Sequence, residues 1–374
     1  MKILYIINKL SSGSGGAVIN NRNLALLQNV YGKENVIVYE FAKTNFNNGS
    51  FYSKILSLFG EISIKILGEI YSIIKEEDVK AVFIANSIYG LVAKGIKKKF
   101  KKLIVVTFFH NVEYLYIKDL FKASKLKSRY FLPFFIKRVE RRSVDYSDLI
   151  IALNERDSEK LLSIYGRNAD FLLPTSMESQ EIVVTALNEK FISKANKLEL
   201  LFVGSNFYAN VHGINWFINN VMTRVENVNL SIVGNGLDDK IIVGNKNVIV
   251  YGRVESLEEF YEKAQIVILP IFLGSGMKTK TAEALMYGKP ILATSEALEG
   301  YIIKNINEIG SKCNTDKEFI EQINYFNDHR LELFDKGINS RNFFLENYSN
   351  EAIRNLFERT IDVRLKELMK VKYV

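Results

Sequence analysis

The chain has 374 residues, 48% apolar and 25% charged, with a formal net charge of +8 and a single cysteine, Cys313. That length outgrows one core, so two domains of roughly 150–200 residues each are expected, and the composition excludes collagen-like, disordered and disulfide-scaffold classes. A lone cysteine also rules out an intrachain disulfide and thiolate-cluster metal sites.

In chain order, a buried-type strand at Ile3–Ile7 leads through the glycine loop "NKLSSGSGG" into an apolar-periodic helix over Ala17–Val30. Strand, glycine loop and helix open a Rossmann-like domain. Further strands are predicted at Val36–Tyr39, Ala81–Ala85, Leu103–Phe108, Leu149–Ala152 and Phe171–Leu173, with helices at Phe51–Lys75 and Leu126–Val144. A polar stretch, Thr175–Lys197, reads as a linker. A second series follows, with strands at Leu198–Gly204, Asn229–Val233, Val248–Tyr251, Ile266–Leu269 and Ile291–Ala293, and beyond Asp316 the pattern is helical to the end. The expected architecture is α/β, with two doubly wound Rossmann-like domains facing each other across a cleft. The domains divide at 1–176 and 177–352, and a final helix over about 353–374 packs back onto the first.

The charge is uneven. Residues 94–142 hold 15 Lys and Arg against Glu113, Asp119 and Glu140, a local +12 that leaves the remainder at −4. Aromatics interleave with it in "YLYIKDLFKASKLKSRYFLPFFIKRVERR". Bulky, bunched apolar residues beside lysines fit an anionic membrane surface better than a nucleic-acid stripe, with a solvated face as the plain alternative. The opening "MKILYIINKL" has no signal-peptide pattern, and no uncharged apolar run reaches the ~18 residues that span a bilayer. A cytoplasmic location, peripheral on the inner face of the membrane, is therefore expected.

The richest segment is Ile268–Gly300. Ile266–Leu269 ends at Pro270; Gly274, Ser275 and Gly276 free the backbone; Lys278 and Lys280 follow at the start of a helix that stops at Gly288. A helix N-terminus with two ammonium groups suits a diphosphate. Neither a P-loop nor a dinucleotide fingerprint fits, because Ile271 and Thr279 stand where each needs a glycine.

Seven marks in order, "GSGG", "FFHNVEY", "YSDLIIALNERDSEKL", "FVGSNFYANVHGINWF", "VGNG", "YGRVESLEEFYEKAQIVILP" and the Gly274 loop, resemble the retaining nucleotide-sugar glycosyltransferases of the GT-B fold, specifically glycosyltransferase family 4. The likeness covers nearly the whole chain. It implies a second domain that binds a nucleoside diphosphate sugar and a first domain that binds the acceptor. The donor site would comprise Gly15, Gly16, Gly204, Arg253, Val254, Gly274, Ser275, Gly276, Met277, Lys278, Lys280 and Glu283. Lys278 would stabilise the departing diphosphate, with Lys280 and the amides of 275–277 beside it. Glu283 matches the second glutamate of the family's E-x7-E motif, which holds the ribose hydroxyls. His110 would lie beside the donor sugar, without acting as a general base. Ser275 replaces the first glutamate of that motif. Ser205 stands at the usual arginine position and Asn210 or His212 near the usual lysine, with Lys278 and Arg253 expected to replace the missing charge.

The function implied is transfer of a hexose, with retention, from a UDP-sugar or, next, a GDP-sugar to a saccharide or lipid-linked saccharide acceptor in surface polysaccharide or glycoconjugate synthesis. No D-x-D motif occurs, so no metal is needed to explain diphosphate handling. No cofactor and no nucleic-acid partner is expected. The alternatives are a sugar-nucleotide epimerase and a non-catalytic sugar-nucleotide-binding subunit of a transferase.

Overall fold

The computed structural model describes residues 1–7, 15–41, 64–123, 131–179, 196–241, 244–274 and 276–373. Of the expected features, Ser275, the loop over 8–14, helix residues 51–63 and 126–130, and linker residues 180–195 lie outside that set. The chain forms two compact units, Met1–Pro174 with Arg354–Val374, and Thr175–Ile353.

In the first unit the order is β1 (Ile3–Ile7), α1 (Gly15–Tyr31), β2 (Val36–Glu40), α2 (Ile64–Glu76), β3 (Ala81–Ile84), α3 (Gly90–Lys99), β4 (Ile104–Phe109), α4 (Glu113–Ala123), α5 (Phe131–Tyr146), β5 (Leu149–Ala152), α6 (Glu155–Tyr165) and β6 (Phe171–Leu172). The strands pair in parallel in the order β2-β1-β3-β4-β5-β6. Strands covered on both faces read as unbroken apolar runs; accordingly every residue of β1 is at most 1% exposed. Helix boundaries follow local chemistry. At the start of α6, Asn154 Oδ1 accepts from the Asp157 amide at 2.9 Å, and Gly166, at φ 76°, ends the helix in the left-handed region.

The second unit contains β7 (Leu198–Val203), α7 (Tyr208–Phe217), β8 (Val228–Val233), β9 (Val248–Gly252), α8 (Glu258–Lys263), β10 (Ile266–Leu269), α9 (Thr279–Met286), β11 (Ile291–Ala293), β12 (Gly310–Lys312), α10 (Asp316–Asp328) and α11 (Glu332–Asn347). Its sheet is also parallel, ordered β12-β11-β10-β7-β8-β9. β12 has no counterpart in the sequence reading. Its three residues, Gly-Ser-Lys, carry no apolar signal and join the sheet edge through backbone pairing with β11.

α12 (Asn350–Phe357) runs through a π-helical turn at Glu358–Asp362 into α13 (Val363–Tyr373). This segment closes the first unit. Phe357 lies against Tyr31 and Phe83, Tyr31 Oη donates to Asp362 Oδ1 at 2.7 Å, and Lys372 Nζ reaches Asp148 Oδ1 at 2.5 Å.

Two parts of the basic region separate. Lys97–Lys99 end α3, at the edge of the first sheet where strands begin. The Glu140 carboxylate of α5 accepts from the Glu113 and Tyr114 amides, at the edge where strands end, and Phe134 and Phe135 lie more than a turn before it. Lys97–Lys99 therefore lie apart from Phe134 and Phe135, whereas Arg138 lies over the Phe134 ring and Lys137 over that of Tyr114. Lys97 is also internal in role, donating to Asp148 Oδ2 at 2.5 Å and to the Leu103 carbonyl at 2.9 Å. Among the described residues no helix is long and apolar enough to cross a membrane.

Candidate functional site

In an open α/β sheet, ligands bind beyond the carboxyl ends of the strands where the strand order reverses. In the second unit that point lies between β7 and β10. Two glycines make the crevice there possible. A Cβ on Gly213 of α7 would sit 1.9 Å from the Pro270 carbonyl oxygen, and one on Gly234, at φ 151°, would sit 1.5 Å from the Gly204 carbonyl oxygen. Any side chain at either place would drive the strand exits apart.

Lys280, in the first turn of α9, crosses this point. Its Nζ donates to Asn210 Oδ1 of α7, and Asn210 Nδ2 donates to the Ser205 carbonyl oxygen at 2.9 Å. Burial, with the charge of Lys278 second, pushes the Lys280 ammonium down to about 8, partly opposed by Glu283. Among the described residues Lys280 makes no ion pair, so its charge faces a neutral amide. Lys280 thus brings a positive charge beside Asn210, near where relatives were expected to carry a lysine, from a different helix. Lys278 and Arg253, expected to replace the missing charge, lie elsewhere in the unit. Lys278 Nζ is 2.7 Å from Glu296 Oε1 and 2.8 Å from the Gly276 carbonyl oxygen, with its side chain 11% exposed. Arg253 is exposed and follows β9, two strands from β7 in the sheet, next to half-buried Val254.

Glu283 is half-buried and accepts from Tyr261 Oη at 3.2 Å; burial raises its pKa, while Tyr261 and Lys280 oppose the rise. Tyr261 is held in turn by stacking on Tyr287 at 4.0 Å. The loop before α9 turns through Gly274 and Gly276, both at positive φ, with Met277 buried beneath it. Tyr301 Oη donates to the Lys278 carbonyl oxygen at 2.7 Å and accepts from the Ala282 amide at 3.0 Å, fixing the helix start. A cation and a carboxylate three residues apart on α9 thus flank the crevice, one suited to phosphate oxygens and the other to hydroxyl protons.

In the first unit His110 follows β4, 9% exposed, with its ring 5.2 Å from that of Phe108 and its Nε2 without a hydrogen-bond partner. Burial, then the Arg22 charge, pushes its pKa down to about 3, so the imidazole is neutral at ordinary pH. Gly15 and Gly16 open α1. Sequence reasoning passed over three residues. Glu296 has no spacing signal, because strand pairing brings it to Lys278. Arg22 stands on the inner face of α1, 7% exposed, and a charge at an apolar-periodic position was the only clue. Glu113 is pushed up to about 7 by burial and by Glu140, whose carboxylate accepts from Ser87 Oγ at 2.8 Å and Tyr165 Oη at 2.6 Å.

Residues 197–328 match the family model described as glycosyl transferases group 1. The second unit carries a group 1 glycosyltransferase domain. The group 1 domain includes every crevice residue named above, from Gly204 to Tyr301. Over the whole chain the fold is that of the GT-B glycosyltransferases. Sucrose-phosphate synthase from Thermosynechococcus elongatus superposes with a TM-score of 0.69 at 14% identity, over 98% of this chain and 100% of that one. Anabaena Alr3699/HepE, solved in complex with UDP, gives 0.70 at 13% identity, over 97% and 100%. The lipopolysaccharide outer core galactosyltransferase WaaB gives 0.66 at 15% identity, again over 97% and 100%. In sequence, a 44.6 kDa protein in the cps region of Klebsiella pneumoniae is 24% identical over 285 residues, 71% of this chain and 70% of that protein.

Proposed function

We propose that the protein is a retaining glycosyltransferase that moves a hexose from a nucleoside diphosphate sugar, UDP-linked in preference to GDP-linked, to a saccharide or lipid-linked saccharide acceptor in surface polysaccharide synthesis. The observation that carries this reading is the placement of a desolvated Lys280 and of Glu283 together on α9 at the switch point of the group 1 domain. Glu283 accepts hydrogen bonds from the ribose hydroxyls. Lys280 exchanges its neutral Asn210 partner for a phosphate oxygen, a gain that grows as the anomeric C1–O bond breaks and the diphosphate takes the electron pair. Lys278, held by Glu296, shapes the Gly276 turn and adds positive charge behind it. The acceptor oxygen bonds to C1 on the face the diphosphate leaves, and its proton passes to the departing phosphate oxygen. His110, neutral, contributes a hydrogen bond.

The HepE complex with UDP, the named activity of WaaB and the cps-region relative support the choice of donor and pathway. Peripheral membrane contact falls to the start of α5, where Phe134 is 60% and Phe135 41% exposed beside Lys137 and Arg138. Calorimetric titration with UDP, GDP and ADP tests the reading. Micromolar binding of one nucleotide, weakened by Glu283→Gln, is expected; absence of binding to all three would overturn it.

A further inference from the structure

Among the described residues, most of the buried side-chain nitrogen and oxygen atoms without a hydrogen-bond partner fall at α1 and the loop after β4, apart from two nitrogens of Arg156 on α6. Arg22 contributes Nε and both terminal nitrogens, His110 its Nε2, and Asn20, Asn23 and Asn111 their Oδ1 atoms. All belong to the first unit, on the opening turns of α1 and in the loop that follows β4, at the edge where strands end. They are neighbours. Tyr5 Oη donates to the Asn20 carbonyl oxygen at 3.2 Å, and the Arg22 charge acts on both Tyr5 and His110.

A buried guanidinium with no acceptor is among the most unfavourable arrangements a protein can hold, whereas a native buried polar group is almost always paired. A void of about 20 Å³ beside Tyr5, Asn23 and Phe108 has room for about one water. One neutral water cannot serve a planar fork with five N–H donors and a full charge. None of the residues that line this void is acidic; apart from Tyr5 and Asn23 they are apolar. The chemistry that completes the cluster is an oxyanion for Arg22, bound by two parallel N–H bonds, beside hydroxyl groups that donate to the asparagine oxygens and meet the neutral His110.

We infer that Arg22, with His110, Asn20, Asn23 and Asn111, forms an anion-recognition centre in the first unit that selects acceptors bearing a phosphate or carboxylate group next to sugar hydroxyls. Calling the bound molecule the acceptor rests on the transferase reading; the anion site itself does not. Such a centre accounts for a residue so unfavourable for folding, since a binding site commonly gives up stability for affinity.

The test uses the full chain with UDP saturating the group 1 domain, and follows the unfolding midpoint on titration with inorganic phosphate, D-glucuronate, methyl glucoside and, as ionic-strength control, sodium chloride. Phosphate or glucuronate should raise the midpoint, and whichever acts identifies the oxyanion; methyl glucoside and chloride should not. Arg22→Met should weaken that response by on the order of 10-fold or more, raise the midpoint of the unliganded protein because an uncompensated buried charge is gone, and leave UDP binding unchanged. Should Arg22→Met not fold, Arg22→Lys, which keeps the charge but loses the fork, should give a weakened response. An unchanged anion response in the variant, an equal response to methyl glucoside, or no response to either anion overturns the proposal. Failure of UDP to bind would strike the transferase reading alone, because the anion titrations are read equally well without it.

Discussion

Lys280 is the residue on which pH should act most visibly. Its native pKa of about 8 lies below the ordinary 10.5, so between these values the unfolded chain holds a proton that the native protein has shed. Stability should therefore rise as pH increases through about 8 to 10.5, while affinity for a nucleoside diphosphate, which needs the ammonium, should fall over the same interval. Titration calorimetry and thermal unfolding between pH 7 and 10 check the two opposed trends. Lys280→Met should lose on the order of 10²-fold in turnover, as expected for removal of one group that stabilises developing charge, and should flatten both pH profiles. Glu283→Gln should weaken free nucleotide binding with less effect on unfolding, because Tyr261 can donate to the amide oxygen as it does to the carboxylate. Lys280 and Glu283 were legible from spacing on one predicted helix. The pairing of Lys278 with Glu296 and the isolation of Arg22 were not, because both depend on which strand ends and helices become neighbours, and local patterning carries no such information.

Among elements, α7 comes closest to the exit of β10 at Gly213. With a Cβ at residue 213 meeting the Pro270 carbonyl oxygen at 1.9 Å, Gly213→Ala must push the helix off the exit of β10. A loss of about 1–3 kcal/mol, typical of overpacking, is expected in denaturant titration, together with weaker nucleotide binding because Asn210 moves with α7. The strands were readable almost throughout, since parallel strands buried on both faces leave dense apolar runs; β12 escaped for want of any side-chain signal. The basic segment divides between elements. Its sequence mixes lysines and aromatics; α3 carries Lys97–Lys99 to one edge of the sheet, while α5 holds Lys137 and Arg138 with Phe134 and Phe135. Vesicle flotation should accordingly lose more signal with Phe134→Ser plus Phe135→Ser than with Lys98→Glu, Lys101→Glu and Lys102→Glu together, and equal loss would return the lysine run to the membrane contact. Lys97 is left out of that set because its removal takes from Asp148 one of its two lysine partners.

At the level of the whole molecule, two β/α series were plain in the chain, but the strand orders were not. The first sheet runs 2-1-3-4-5-6 and the second, in its own numbering, 3-2-1-4-5-6, a difference fixed by where one strand packs and not by any residue pattern. The closing segment gives a separable prediction. Removal of residues 363–374 takes away the Lys372–Asp148 contact and fully buried Leu365. It should lower the unfolding midpoint of the first unit while the second retains nucleotide binding. The partners Tyr31 and Asp362 stand 331 positions apart. During synthesis at roughly 5–20 residues per second, the first unit therefore waits on the order of ten seconds or more, with the bed for Phe357 uncovered, until the group 1 domain and the final helices have been made. The half of the protein translated first is the half finished last, and its yield should respond to elongation rate and chaperone supply more steeply than that of the second unit.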